Sequence, residues 1–213
     1  MSLMRRKNFS LILGIAAVAA LLSSCVGIDA KIKIGDSGAG TLAAEYRLSD
    51  ELLSLGELDQ NKSQLPVPLS RADVENSLKK GKGLSLKSWS SAKSGKDTLI
   101  KMSIAFDSID ALVAYLDPAG KLARHTSSGG TDTIDLLLGD DFEPLESDTK
   151  ELAIKAFESY SFKFSIEAPK PIKSATSSNS AIASRIEGKT AYFDGEMKDI
   201  VTTEKAPSFS VSW

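Results

Sequence analysis

The sequence predicts an α+β fold: a mostly antiparallel sheet built from hairpins, with three or four short helices packed on one side. Three features predict it. Apolar residues repeat with period two along several runs, glycine-rich breaks separate those runs in pairs, and helix-start signatures fall between the pairs.

The chain opens on a leader. Arg5-Arg6-Lys7 precedes an apolar stretch from Leu11 to Leu22, which is too short to cross a bilayer as a helix, a task that takes about 20 residues. It ends on Leu22-Ser23-Ser24-Cys25. A basic start, a short apolar segment, two small residues and a cysteine form a bacterial lipoprotein export signal. Small side chains at Ser23 and Ser24 let a peptidase reach the backbone, and the Cys25 thiol is the nucleophile that accepts a diacylglycerol group. The rival reading, a buried thiol after a hydrophobic helix, is weakened because Cys25 is the only cysteine and no acidic residue precedes it. Each buried methylene contributes about 0.8 kcal/mol, and one acyl chain anchors only marginally, so diacylglycerol plus an N-acyl chain such as palmitate makes a lasting tether. Residues 1–24 are therefore expected to be removed, leaving residues 25–213 as one envelope domain with no cofactor beyond those covalent chains.

The elements of that domain follow in order. Val26, Ile28, Ala30, Ile32 and Ile34 share one face of a strand while Gly27, Asp29, Lys31 and Lys33 share the other. Gly35-Asp36-Ser37-Gly38-Ala39-Gly40 breaks the pattern, and Leu42, Ala44, Tyr46 and Leu48 resume it, as in a hairpin. Ser49 is placed to cap a helix bearing Leu52, Leu55 and Leu58. After Pro66 and Pro68, Ser70 and Asp73 mark a second helix start, clamped by Leu69 and Val74 and stopped by Gly81 or Gly83. Leu84 to Ser90 and Leu99 to Phe106 form a second hairpin around Ser94-Gly95-Lys96. Asp107 is expected to cap a helix through Leu112, Val113 and Leu116, ended by Asp117-Pro118. Leu122 to Thr126 and Thr131 to Leu138 flank Gly129-Gly130, and Asp148 with Glu151 forms a capping box for a helix to about Glu158. Tyr160, Phe162, Phe164 and Ile166 then alternate. Pro169 to Ser184 reads as a mobile loop or an irregular edge strand, and strands at Thr190 to Phe193 and Ser208 to Trp213 close the chain.

Composition narrows the function classes. The 28 acids outnumber the 26 bases, and the leader holds three of those bases, so the mature part is mildly acidic with no basic cluster. That excludes nucleic-acid binding driven by phosphate neutralisation. It also leaves bilayer contact to the anchor rather than to charge. With Cys25 acylated there is no disulfide, so the fold rests on packing.

Candidate chemistry is sparse. Gly35-Asp36-Ser37-Gly38 matches the tetrapeptide around a chymotrypsin-like nucleophile, but the single histidine, His125, follows the serine where that family places it before. A lone histidine makes no zinc site of the usual kind. Asp140-Asp141 with Glu143 and Glu146 misses the calcium-loop spacing and reads as a solvated acidic connection. The alternating Tyr160, Phe162 and Phe164 line either a filled core or an apolar cavity. No metal ligand or catalytic residue is assigned.

The order of features resembles a known family. A lipobox cysteine runs directly into an alternating strand, a turn ending Gly40-Thr41-Leu42, a second strand and capped helices. Ser108-Ile109-Asp110-Ala111-Leu112, then Tyr160-Ser161-Phe162-Lys163-Phe164, a Pro/Ser segment and a last strand bearing a Trp complete the layout. This is similar to the LppM-type bacterial lipoprotein domain over nearly all of residues 25 to 213. The resemblance implies an α+β domain like lipid-binding folds, acting at the cell envelope and binding membrane glycolipids. Some relatives add a C-terminal membrane helix; here Cys25 is expected to be the sole attachment.

The expected function is thus a non-catalytic, lipid-anchored extracytoplasmic protein that binds a lipid or other apolar ligand. The alternative is a structural module that anchors a partner protein at the membrane. An enzyme would need Ser37, His125 and a carboxylate gathered in one cleft.

Overall fold

A computed structural model describes residues 26–50, 70–79, 81–138, 145–203 and 206–213. The first alternation becomes β1 (Val26–Ile34), folded back on β2 (Gly40–Ser49) so that Val26 pairs with Leu48 and Ile34 with Gly40. Gly40 is required at the return: a Cβ there would collide with the Lys33 carbonyl oxygen and the Phe106 ring. The next hairpin joins β3 (Leu84–Ser94) to β4 (Asp97–Phe106) through Gly95-Lys96, with a bulge between Leu86 and Ser88. It runs further than the alternation foretold, because residues 90–96 are exposed and need no apolar face.

Long-range pairing assembles the rest. β4 pairs with β2, and β1 pairs in parallel with β7 (Ser161–Glu167), whose other edge takes β10 (Thr190–Glu196) and then β9 (Ile182–Glu187). The result is a seven-stranded sheet of order β3-β4-β2-β1-β7-β10-β9. A second, four-stranded sheet runs β5 (Ala123–Ser128), β6 (Thr131–Leu137), β11 (Ser208–Ser212), β8 (Ser174–Ser177), all antiparallel. The segment read as a loop or an edge strand from Pro169 to Ser184 holds β8 and the start of β9, which are edge strands of the small and the large sheet. Backbone bonding placed them, since Ser174–Ser177 carries almost no apolar signal.

Four helices lie among the described residues. In α1 (Arg71–Leu78) the Ser70 hydroxyl accepts from Asp73 N–H at 3.2 Å while Asp73 Oδ2 accepts from Ser70 N–H at 3.0 Å, the capping box foreseen. The clamp residue Leu69, and the helix expected after Ser49, lie outside the described residues; Ser49 itself ends β2. α2 (Ile109–Leu116) is capped by Ser108, whose hydroxyl accepts from Ala111 N–H, and not by Asp107. Asp107 still belongs to the strand end, donating its N–H to the Gly83 carbonyl at 2.9 Å. α3 (Ser147–Phe157) begins after Glu146 with no side-chain cap bond, so the expected Asp148–Glu151 box does not form; the helix starts before Asp148 and absorbs it into its first turn. α4 (Met197–Ile200) follows β10 directly and had no signal of its own.

All four helices cover one face of the large sheet. Ile32, Leu42, Phe106, Phe162, Phe164, Ile166 and Phe193 meet α2, α3, α4 and the inner face of the small sheet in one cluster. Val74 and Leu78 of α1 meet Tyr46, Leu48, Ile100 and Ile104 in another. Burial of such side chains is worth about 1.5–3 kcal/mol each before entropy is charged against it. The opposite face is solvated, laced by ion pairs such as Lys33–Glu167 at 2.7 Å and Lys101–Glu45 at 2.7 Å. Among the described residues, no helix is long and apolar enough to cross a membrane.

Candidate functional site

Period two gives the small sheet two unlike faces. Ile134, Leu136, Phe209 and Val211 point inward, buried against the large sheet. One step along each strand, Arg124, Asp135, Ser210 and Thr176 stand in register as a single row across the outer face. This row crosses a groove of about 640 Å³, lined by residues 120–124, 135–137, 176–178 and 208–210. Lys121 and Arg124 bring positive charge, Thr176, Ser177, Ser178, Ser208 and Ser210 bring hydroxyls, and Leu122 and Leu137 bring apolar surface, while Leu136 and Phe209 border it through their strands with side chains buried in the core.

One wall is organised by Asp117. Its buried side chain accepts from Ala119 N–H at 3.2 Å, from Ala123 N–H at 2.9 Å and from Leu122 N–H. Burial by itself would raise the Asp117 carboxyl; the backbone N–H groups of Ala123, Leu122, Ala119 and Gly120 outweigh it and hold the group below the ordinary Asp range. Gly120, Leu122 and Ala123 border the groove, so a single carboxylate fixes the path of its wall. From the sequence, Asp117-Pro118 signalled only a helix end.

Aromatic rings from both sheets pack against one another between them. The Phe209 ring stacks on Phe162 at 5.7 Å, and meets Phe164 at 5.6 Å and Phe193 at 4.8 Å. The alternating aromatics are therefore core, and the groove lies on the far side of the small sheet from them. Tyr160 is buried too, with its hydroxyl donating to Asp97 at 2.8 Å and the Arg47 guanidinium 5.4 Å from its ring centre.

The remaining candidates are dispersed. Leu22, Ser23, Ser24 and Cys25 lie outside the described residues, as do Asp140, Asp141 and Glu143. Ser37 is exposed in the β1–β2 turn, its hydroxyl accepting from Ala39 N–H at 3.4 Å. His125 sits on β5 with Nδ1 3.0 Å from Asp110 and Nε2 3.4 Å from Asp132, so both ring nitrogens face carboxylates. Glu146 is exposed at the start of α3. Among the described residues no group of three or more His, Cys, Asp or Glu is placed to hold a metal.

No family model and no curated protein matches the chain. Among solved structures it is similar to the folded domain of the LppM protein of Mycobacterium tuberculosis, determined by NMR. Identity is 11%, the TM-score is 0.46, and the match covers 89% of this chain and 90% of that one. The likeness is one of fold. The α+β architecture of two mostly antiparallel sheets is the fold class the sequence predicts.

Proposed function

We propose that this chain is a membrane-tethered envelope lipoprotein, extracytoplasmic and non-catalytic, that binds an amphiphilic lipid in the groove on the outer face of its small sheet. The groove carries this reading. Its volume of about 640 Å³ falls inside the roughly 300–1,000 Å³ typical of ligand sites. Its lining is mixed in the way an amphiphile demands: Lys121, Arg124 and the serine hydroxyls suit a polar or anionic headgroup, and Leu122 and Leu137 suit the first part of a chain. Release of water from that apolar surface drives binding, and the charged groups fix orientation. The tether at Cys25 supports the reading by keeping the site beside a lipid reservoir.

Native mass spectrometry of the domain from Val26 onward, expressed in a bacterium, tests it. Co-purified lipid or uptake of a fluorescent lipid analogue is expected; neither would be seen if the groove does not serve lipid.

Exposed Leu152 (63%) and Ile154 (39%) on α3 favour a second reading, in which the domain anchors a partner protein. Leu152→Glu would then release the partner and leave lipid uptake untouched, whereas Arg124→Gln would weaken uptake alone.

A further inference from the structure

Resting on the tether reading, we infer that the end of the large sheet where β1 begins is the membrane-contacting surface of the domain, with the β3–β4 turn seated in the lipid headgroups. Cys25 is one peptide step, about 3.8 Å between Cα atoms, from Val26. Val26 is already paired with Leu48 in the sheet, so no flexible linker separates the acyl chains from the fold. The glycerol carried by the Cys25 sulfur lies where acyl chains meet headgroups, and the sheet is held against that plane.

Register identifies what else arrives there. Val26 is level with Leu48, Leu48 with Thr98, and Thr98 with Lys93. One step further out are Ser49, Asp97 and Ser94, and beyond them the turn Gly95-Lys96. The turn therefore projects past the plane of Val26, about 10–14 Å to the side at roughly 4.8 Å per strand. Nothing within 4 Å would meet a side chain at Gly95, so the tip stands in open space.

This end is also braced. Asp50 donates its N–H to the Lys96 carbonyl at 3.1 Å, and its carboxylate pairs with Lys93. Asp97, 4% exposed, holds Arg47 at 2.5 Å and Tyr160 at 2.8 Å, tying β4 to β2 and to the start of β7. A tether on a rigid end orients the whole domain rather than a loose tip. By contrast the β1–β2 turn at Ser37 lies a nine-residue strand away, about 30 Å at roughly 3.3 Å per residue.

The same orientation brings the groove toward the bilayer. Ser178 at its rim adjoins Asn179, whose carbonyl accepts from Ile182 N–H at 3.1 Å. Ile182 pairs with Gly195, Gly195 with Phe162, and Phe162 with Ile28, two residues from the start of β1. The Ser178 corner of the groove thus lies at the anchored end.

Because the Cys25 sulfur is consumed by its thioether, Ser94→Cys and Ser37→Cys each create a single labelling site in the full, processed protein. A fluorophore at each is read in liposomes of phosphatidylethanolamine and phosphatidylglycerol that contain a headgroup-nitroxide lipid. Quenching severalfold stronger at position 94 than at 37 is expected. Equal quenching at both, or none at 94, in protein whose intact mass shows the acyl chains, overturns the orientation alone. An unacylated mass with the leader retained overturns the tether and this inference together.

Discussion

The large and small sheets bury their inner faces against each other yet present different outer faces. On the large sheet the outer face is closed by cross-strand charge: Lys33 and Lys31 meet Glu167, and Lys101 meets Glu45. On the small sheet it is hollowed, and a row of Arg124, Asp135, Ser210 and Thr176 crosses a groove. On the function proposed above, the large sheet is mainly scaffold and the small one offers a face for recognition. Phe209 joins the two roles, with its ring in the shared core and its strand in the groove floor.

That division can be broken in graded steps. Phe209→Ala removes the ring that contacts Phe162, Phe164 and Phe193, and should cost about 3–5 kcal/mol in urea unfolding. A loss well below that range would mean the sheets are not held as one core. Asp117→Asn acts on the groove wall. It should weaken lipid uptake severalfold and lower the melting temperature, since one amide oxygen replaces two carboxylate oxygens that accept from three N–H groups. The sign with pH follows from the depressed carboxyl: the stability Asp117 contributes is complete above the ordinary Asp value of about 3.9 and is lost as pH falls through its lower folded value. The gap between wild type and variant should therefore close in acid; a gap that widened there would refute the assignment.

Glu167→Gln should matter least. Hydrogen bonding to Lys33, outweighing partial burial, and then to Lys31 holds this carboxyl low. The pairs are partly solvated, so the loss should stay under about 1 kcal/mol. It should shrink in high salt, and a large effect insensitive to salt would show that the outer face of the large sheet is more than a solvated surface.

The same contrast explains what was legible in the sequence. Central strands of the large sheet announced themselves because they send an apolar residue inward at every second position, as Ile28 to Ile34 and Ile100 to Phe106 do, whereas the edge strand β9, with only Ile182 buried, did not. Helix starts were legible where a side chain closes the cap, as at Ser70, and were displaced where the backbone had another partner, as at Asp107. β8 was illegible: Ser-Ala-Thr-Ser has no period to read, and its place is set by β11, reached only near the end of the chain. For the same reason the groove was invisible, since it gathers four separated segments of ordinary hydroxyl, basic and apolar residues. Asp117 could be seen as a helix stop, but its wall-forming role depends on a loop that folds back on it. Lipobox residues Leu22 to Cys25 lie in the opposite situation, being a signal read entirely from sequence.

The most direct test fills the groove. Ser210 sits mid-row between Asp135 and Thr176, so Ser210→Trp places a large ring across the outer face without entering the core. Titration of an anionic fluorescent lipid analogue should show saturable binding to the wild type and affinity at least about tenfold weaker in the variant, a loss of about 1.4 kcal/mol, with urea unfolding unchanged. Equal affinity in a variant that folds equally well would contradict the assignment of lipid binding to this face.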